Sequence, residues 1–398
     1  MSVRYPVSKS VLDWAVEKSG QDIAVLESKL PKLEDWRKQL ETTDNGLSIS
    51  NIKALSKALN IPFGYFFIKE LPKDNEFAIS YRSIENKMYH HPSRDLQETI
   101  ADMQKKQDYV RNYRKENQDQ LDFVGSYNIN SSFLDIANDI RVRCDLPLNW
   151  NLQAKNKREA IKYLHSSIEP VGILLFKNGI VQSNTHRPLN LEEFRAFVLV
   201  DTYAPLIFIN TQDSLSGQLF SICHELAHIW LGQEEILNDS DAFGRIQYGQ
   251  TKHSNMELER LANKVAAELL MPKQNILGLF DSNFTLANIE KVSTKLKISQ
   301  QAVAIGLLDG HFISKTKFDE LFEVITRNTE TTLDNKKSSG AGGDYYNNYF
   351  NKIDYHFFDL VSTQAEEGNL SYTDAYDLLN IKSGKIYTKT LHKFEERI

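Results

Sequence analysis

Apolar residues return at helical spacing along the start of the chain: Val11, Leu12, Ala15 and Val16, then Ile23, Val25 and Leu26, then Leu33, Trp36 and Leu40, then Ile52, Leu55, Ala58 and Leu59. Spacings of three and four put each set on one helix face. Gly20, Pro31, Gly46 and Pro62 separate the sets, and these residue types end helices or turn the chain. The pattern predicts four or five short helices, a helix-turn-helix domain over residues 1–72. From 73 to 150 the chain is more polar. The run "DLQETIADMQKKQDYVRNYRKENQDQ" carries charge on most faces, which predicts an exposed helical connector.

The pattern changes after residue 150. A helix from about Leu152 to Ser167 leads into "VGILLFKNG" and "FRAFVLVDTYAPLIFIN", two strand-length runs rich in Val, Ile, Leu and Phe with turn residues between them. A small sheet is therefore expected before the apolar helix "SICHELAHIWLG". A polar loop from Gln233 to about Ser254 follows. Next comes "MELERLANKVAAELLMP", where Leu258, Leu261, Val265, Ala266 and Leu269 hold helical period until Pro272 stops it. These segments make a core over residues 151–275. Residues 276–330 read as a helix–tight turn–helix subdomain of winged-helix type. Residues 331–343, with "DNKKSSGAGGDYY", are small, polar and Gly-rich, so they read as a linker. Residues 344–398 form a helical module whose Tyr345, Tyr349, Ile353, Phe357 and Leu360 make a core or a partner surface. The expected fold class is α+β and mostly helical: an N-terminal helix-turn-helix bundle, a small-sheet core and a helical C-terminal extension.

Composition narrows the function. At 398 residues, 41% apolar and 25% charged, the chain can form several domains with a sizeable core. A formal net charge of −6 gives no global attraction to nucleic acid or anionic membrane, so any DNA contact has to come from one segment. The N-terminus lacks the apolar stretch of a signal peptide, and no apolar run is long enough to span a bilayer, which points to the cytoplasm. Cys144 and Cys223 lie far apart and outside any CxxC spacing, so no disulfide framework is expected.

The chemistry sits in "CHELAH". His224 and His228 are four residues apart, one turn of helix, and both leave the same face with Glu225 close by. That is the spacing two zinc-binding imidazoles need. An ordinary helix with a polar face could carry the same residues, so a third ligand decides. Glu259 opens "ERLANKVAAELLMP" on a following helix whose apolar stripe would dock it against the first. Glu225 then stays free as a general base. Asn263, one turn beyond Glu259, can brace an imidazole through its other nitrogen. Tyr248, His253 and Asn210 flank these segments and are candidate donors to a developing oxyanion.

"CHELAHIWLG" followed by "ELERLANKVAAELLMP" resembles the ImmA/IrrE family of zinc metallopeptidases. The upstream "LIFINTQDSLSGQLFSICHELAH" is similar to it as well. "VLDWAVEKSGQDIAVLESKL" with "LSISNIKALSKALNIPFGYFFIKELP" resembles the XRE-type helix-turn-helix domain often fused ahead of this peptidase, and the C-terminal segments resemble an extension of some fused forms. The resemblance implies a zincin-like core with Zn2+ on His224, His228 and Glu259, Asn263 in support, and Glu225 activating the attacking water.

It also implies a regulatory role: cleavage of a specific protein partner, a helix-turn-helix repressor or a toxin-antitoxin component. The alternative is a non-proteolytic antitoxin or transcriptional regulator in which zinc only braces the fold. In "KLEDWRKQLE", where a DNA-reading helix belongs, Glu34, Asp35 and Glu41 offset Lys32, Arg37 and Lys38. Residues 1–72 are accordingly expected either to bind DNA weakly or to dock another protein.

Overall fold

Residues 4–5, 7–18, 30–33, 35–36, 46–59, 66–67, 92–232, 236–237, 253–280, 284–334 and 344–397 are described by a computed structural model. They fall into two units: Met1–Ala78 with Lys87–Ile100, and Ile79–Asn86 with Ala101–Ile398.

In the first unit, strands β1 (Arg4–Tyr5) and β2 (Leu47–Ser48) pair antiparallel, with Tyr5 opposite Leu47. Helices α1 (Lys9–Lys18) and α2 (Ile49–Leu59) follow them in the chain. The Ser8 and Ser48 hydroxyls accept hydrogen bonds from the Val11 and Asn51 N–H groups and close the first turns. Val11, Leu12, Ala15, Val16, Ile52, Leu55 and Leu59 are buried with Leu33 and Trp36 in one core. The strand pair was not expected, because two-residue strands are too short for alternation to register. Ile23, Val25, Leu26 and Leu40 lie outside the described residues. So does most of "KLEDWRKQLE", of which Lys32, Leu33, Asp35 and Trp36 are described.

Helix α3 spans Arg94–Glu116. It differs from the exposed connector read in the sequence. Leu96, Thr99, Ile100, Met103, Lys106, Gln107 and Val110 form a buried stripe at helical spacing. Thr99, Lys106 and Gln107 disguise that stripe as polar surface, yet each is satisfied. The Thr99 hydroxyl donates to the Asp95 carbonyl, Lys106 pairs with Asp102, and the Gln107 amide donates to the Leu199 and Ala204 carbonyls at 2.9 and 3.0 Å. Hydrogen bonding is what makes such burial tolerable.

The second unit is a mostly helical α+β structure around one sheet. Helices α4 (Phe133–Arg143), α5 (Trp150–Gln153) and α6 (Lys157–Ile168) precede strands β3 (Leu174–Asn178), β4 (Ala196–Leu199) and β5 (Leu206–Asn210). Helix α7 (Leu215–Leu231) and strand β6 (Ile236–Leu237) follow. The sheet order is β3-β5-β4-β6: β3 lies parallel to β5, and β4 lies antiparallel to both β5 and β6. Strands β4 and β5 are wholly buried, which explains why every residue in them except the last, Asn210, is apolar.

Helix α8 (His253–Leu270) packs on α7, and α9 (Lys273–Leu279) leads from it to α10 (Leu286–Leu296), α11 (Gln300–Asp309) and α12 (Lys315–Asp334). Ile289, Val292, Leu296, Val303, Leu307 and Ile325 from α10, α11 and α12 share a continuous core with α6, α7 and α8. Residues 335–343 of the expected linker lie outside the described residues, and 331–334 finish α12. The C-terminal module comprises α13 (Tyr345–Phe350), α14 (Tyr355–Glu366), α15 (Tyr372–Leu378) and α16 (Gly384–Glu395). Ile353 and Phe357 are core residues, and Tyr349 is partly buried with its hydroxyl donating to the Leu379 carbonyl; Tyr345 is exposed. This module shields the free edge of β3. The Leu175 N–H donates to Asp354 Oδ2 at 3.0 Å and the Lys177 N–H to the Lys352 carbonyl at 2.9 Å.

Candidate metal centre

Helix α7 is apolar nearly all round because it is buried nearly all round. Its start is set by Ser214, whose hydroxyl accepts from the Gly217 N–H at 3.1 Å. Its end is set by Gly232 at φ 68°, a left-handed conformation that glycine adopts without penalty. The backbone of 125–127 seals that end: the Gly125 N–H donates to the Ile229 carbonyl and the Tyr127 N–H to the Trp230 carbonyl. Trp230 stacks on Phe123 and donates its indole N–H to Asp139 of α4 at 2.7 Å. These ties fix the register of α7, and with it the direction of His224 and His228.

Helix α8 lays Ala262, Val265, Ala266 and Leu269 in the same core, which brings Glu259 and Asn263 up to α7. His224 Nδ1 stands 2.9 Å from Asn263 Oδ1. A carboxamide oxygen only accepts, so Nδ1 carries the proton and Nε2 is left with its lone pair. His224 Nε2 and His228 Nε2 are 3.0 Å apart. Glu259 Oε1 is 3.1 Å from His228 Nε2, and Glu259 Oε2 is 3.4 Å from His224 Nε2. Both rings are buried and the Glu259 side chain is 13% exposed. Burial alone would raise the Glu259 carboxyl, but the two imidazoles outweigh it and hold this group well below the usual carboxylate range.

Glu225 is also fully buried, and neither carboxylate oxygen has a hydrogen-bond partner. Burial pushes it up to about 8; His228 opposes that shift and Glu259 adds to it. Of the three oxyanion candidates, Asn210 already makes two side-chain hydrogen bonds at the end of β5. Its amide nitrogen donates to the Phe194 carbonyl at 3.1 Å, and its oxygen accepts from the Gln212 N–H. It shapes the turn after β5. Tyr248 and the side chain of His253 lie outside the described residues. Cys223 sits in the core, where burial pushes its thiol up.

The residues present fit a divalent ion. Two ligand atoms held tetrahedrally at about 2.0–2.1 Å from one ion stand about 3.3 Å apart, close to the 3.0, 3.1 and 3.4 Å found here. Glu259 Oε1 approaches His228 Nε2 without making a hydrogen bond. Two imidazoles and a carboxylate gathered in the core need a cation more than they need one another. Sequence reasoning did not single out the α4 brace, since nothing in "DIANDI" marks Asp139 as a partner for Trp230.

Residues 169–308 match the family model described as IrrE N-terminal-like domain, Peptidase_M78, a stretch that contains both α7 and α8. The match supports placing this segment in the ImmA/IrrE metallopeptidase family. Residues 353–394 match a domain of unknown function, DUF8813. No curated protein matches the chain. No helix among the described residues is long and apolar enough to cross a membrane.

Proposed function

We propose that the chain is a zinc-dependent peptidase with a regulatory role, cleaving one protein partner such as a helix-turn-helix repressor or a toxin-antitoxin component. The observation that carries the reading is the convergence of His224, His228 and Glu259 on one point, with the unpartnered carboxylate of Glu225 on the same helix. Bound zinc supplies Lewis acidity, making a water more acidic and polarising a peptide carbonyl.

The chain's own residues do the rest. His224, His228 and Glu259 would hold the ion with three protein ligands, the number found in catalytic sites, where structural sites use four. Asn263 keeps the His224 proton on Nδ1. Glu225, beside these ligands on α7, would accept a proton from water and return it to the leaving amine. Selectivity is expected from docking away from the metal, through residues 1–72 or the C-terminal module, with any DNA contact weak.

The test is co-purification with the protein encoded beside this gene, comparing wild type and Glu225→Gln by mass spectrometry. A partner clipped at one bond by wild type and trapped intact by the variant supports the reading. A partner bound but never clipped supports the non-proteolytic alternative, and broad degradation of unrelated proteins defeats both.

A further inference from the structure

Apart from the centre on α7 and α8, one other group of potential metal ligands converges among the described residues: His165, Glu169 and Asp354. His165 is in the last turn of α6. Glu169 follows four residues later, its N–H bonded to the His165 carbonyl, so the two side chains leave one face a turn apart. Asp354 comes from the start of α14, far away in sequence. One ligand atom from each residue lies within 4.8 Å of the other two. His165 Nε2 stands 3.6 Å from Asp354 Oδ2; the imidazole is 12% exposed and the carboxylate wholly buried. That nitrogen is itself buried and has no hydrogen-bond partner. Leaving a buried polar atom unpaired is unfavourable.

Both carboxylates are aimed by partners outside the group. Asp354 Oδ1 accepts from the Phe357 N–H at 2.9 Å as the cap of α14, and Oδ2 accepts from the Leu175 N–H. Glu169 Oε1 accepts from the His356 N–H at 2.9 Å and stands 3.3 Å from His356 Nδ1. Outer hydrogen bonds of this kind orient metal ligands. The 3.6 Å separation is a few tenths of an ångström wider than two ligands of one ion require, a gap that a small side-chain movement closes.

We propose that His165, Glu169 and Asp354 form a second site for a divalent ion of the zinc class, joining the C-terminal module to the peptidase-like core. An imidazole with two carboxylates is a donor set suited to such ions. Lys177 lies in the field of both carboxylates and Arg114 in that of Asp354. Burial pushes the Lys177 ammonium down to about 8, while the two carboxylates oppose that shift. Glu169 belongs to the segment matched by one domain family and Asp354 to the segment matched by the other, so the ion would fasten the two together.

The probe is zinc alone, counted per chain in full-length protein after loading and gel filtration. Wild type should hold about two ions, and the His228→Ala, Glu259→Ala double variant about one. Adding His165→Gln or Glu169→Gln to that double variant should leave about none. Glu169→Gln retains the oxygen that accepts from His356, so it loses the ligand charge while keeping that hydrogen bond. If the double variant holds no zinc, or if the added substitutions leave its content unchanged, the second site is refuted. If wild type holds one ion and not two, and that ion survives loss of His228 and Glu259 but not loss of His165, the second site stands and the proposed peptidase centre is refuted.

Discussion

Asn263 Oδ1 lies 2.9 Å from His224 Nδ1, across the contact between α8 and α7. The bond leaves His224 Nε2 with its lone pair toward Glu259 and His228. Asn263→Ala should therefore leave the fold in place and weaken zinc binding by about 10- to 100-fold. Competition against a chelator of known affinity measures this. Unchanged affinity would remove Asn263 from the site.

The left-handed end of α7 makes a stability prediction. A Cβ on Gly232 would meet the Gly125 Cα at 2.9 Å, and φ there is 68°. Gly232→Ala should destabilise the protein by about 1–3 kcal/mol, visible as a lower midpoint in chemical or thermal unfolding. An unaltered midpoint would mean that the 125–127 segment does not seal the helix.

Much of this centre was legible in the sequence, because the helical repeat turns the spacing of His224 and His228 into geometry. Glu259 and Asn263 followed from the apolar stripe of α8, which admits one docked face. The burial of α3 was not legible, since Lys106 and Gln107 occupy core positions and only tertiary partners reveal that they are satisfied there. Nor was the meeting of His165, Glu169 and Asp354, because it depends on the edge of β3 pairing with residues 352–354. The hydrogen bonds of Asn210 were not legible for a related reason: proximity in sequence to the ligand helix does not show where an amide's bonds already go.

The two cysteines provide a check on the core. Burial pushes Cys144 up to about 12 and raises Cys223 as well, and both are free. A thiolate is the reactive form, so neither should react with an aromatic disulfide reagent at pH 8 in native protein, while both should react in denaturant. Rapid native labelling of Cys223 would place that face of α7 outside the core.

The central claim is that Glu225 acts as base and not as ligand, and one paired measurement on Glu225→Gln tests it most directly. Zinc content and partner cleavage are determined on the same preparation, beside wild type. The variant should retain the wild-type zinc complement, because its ligands are untouched, and lose cleavage by a factor of about 10²–10⁴, the span general-base catalysis supplies. Cleavage at the wild-type rate with zinc retained, or loss of zinc together with cleavage, would contradict the account.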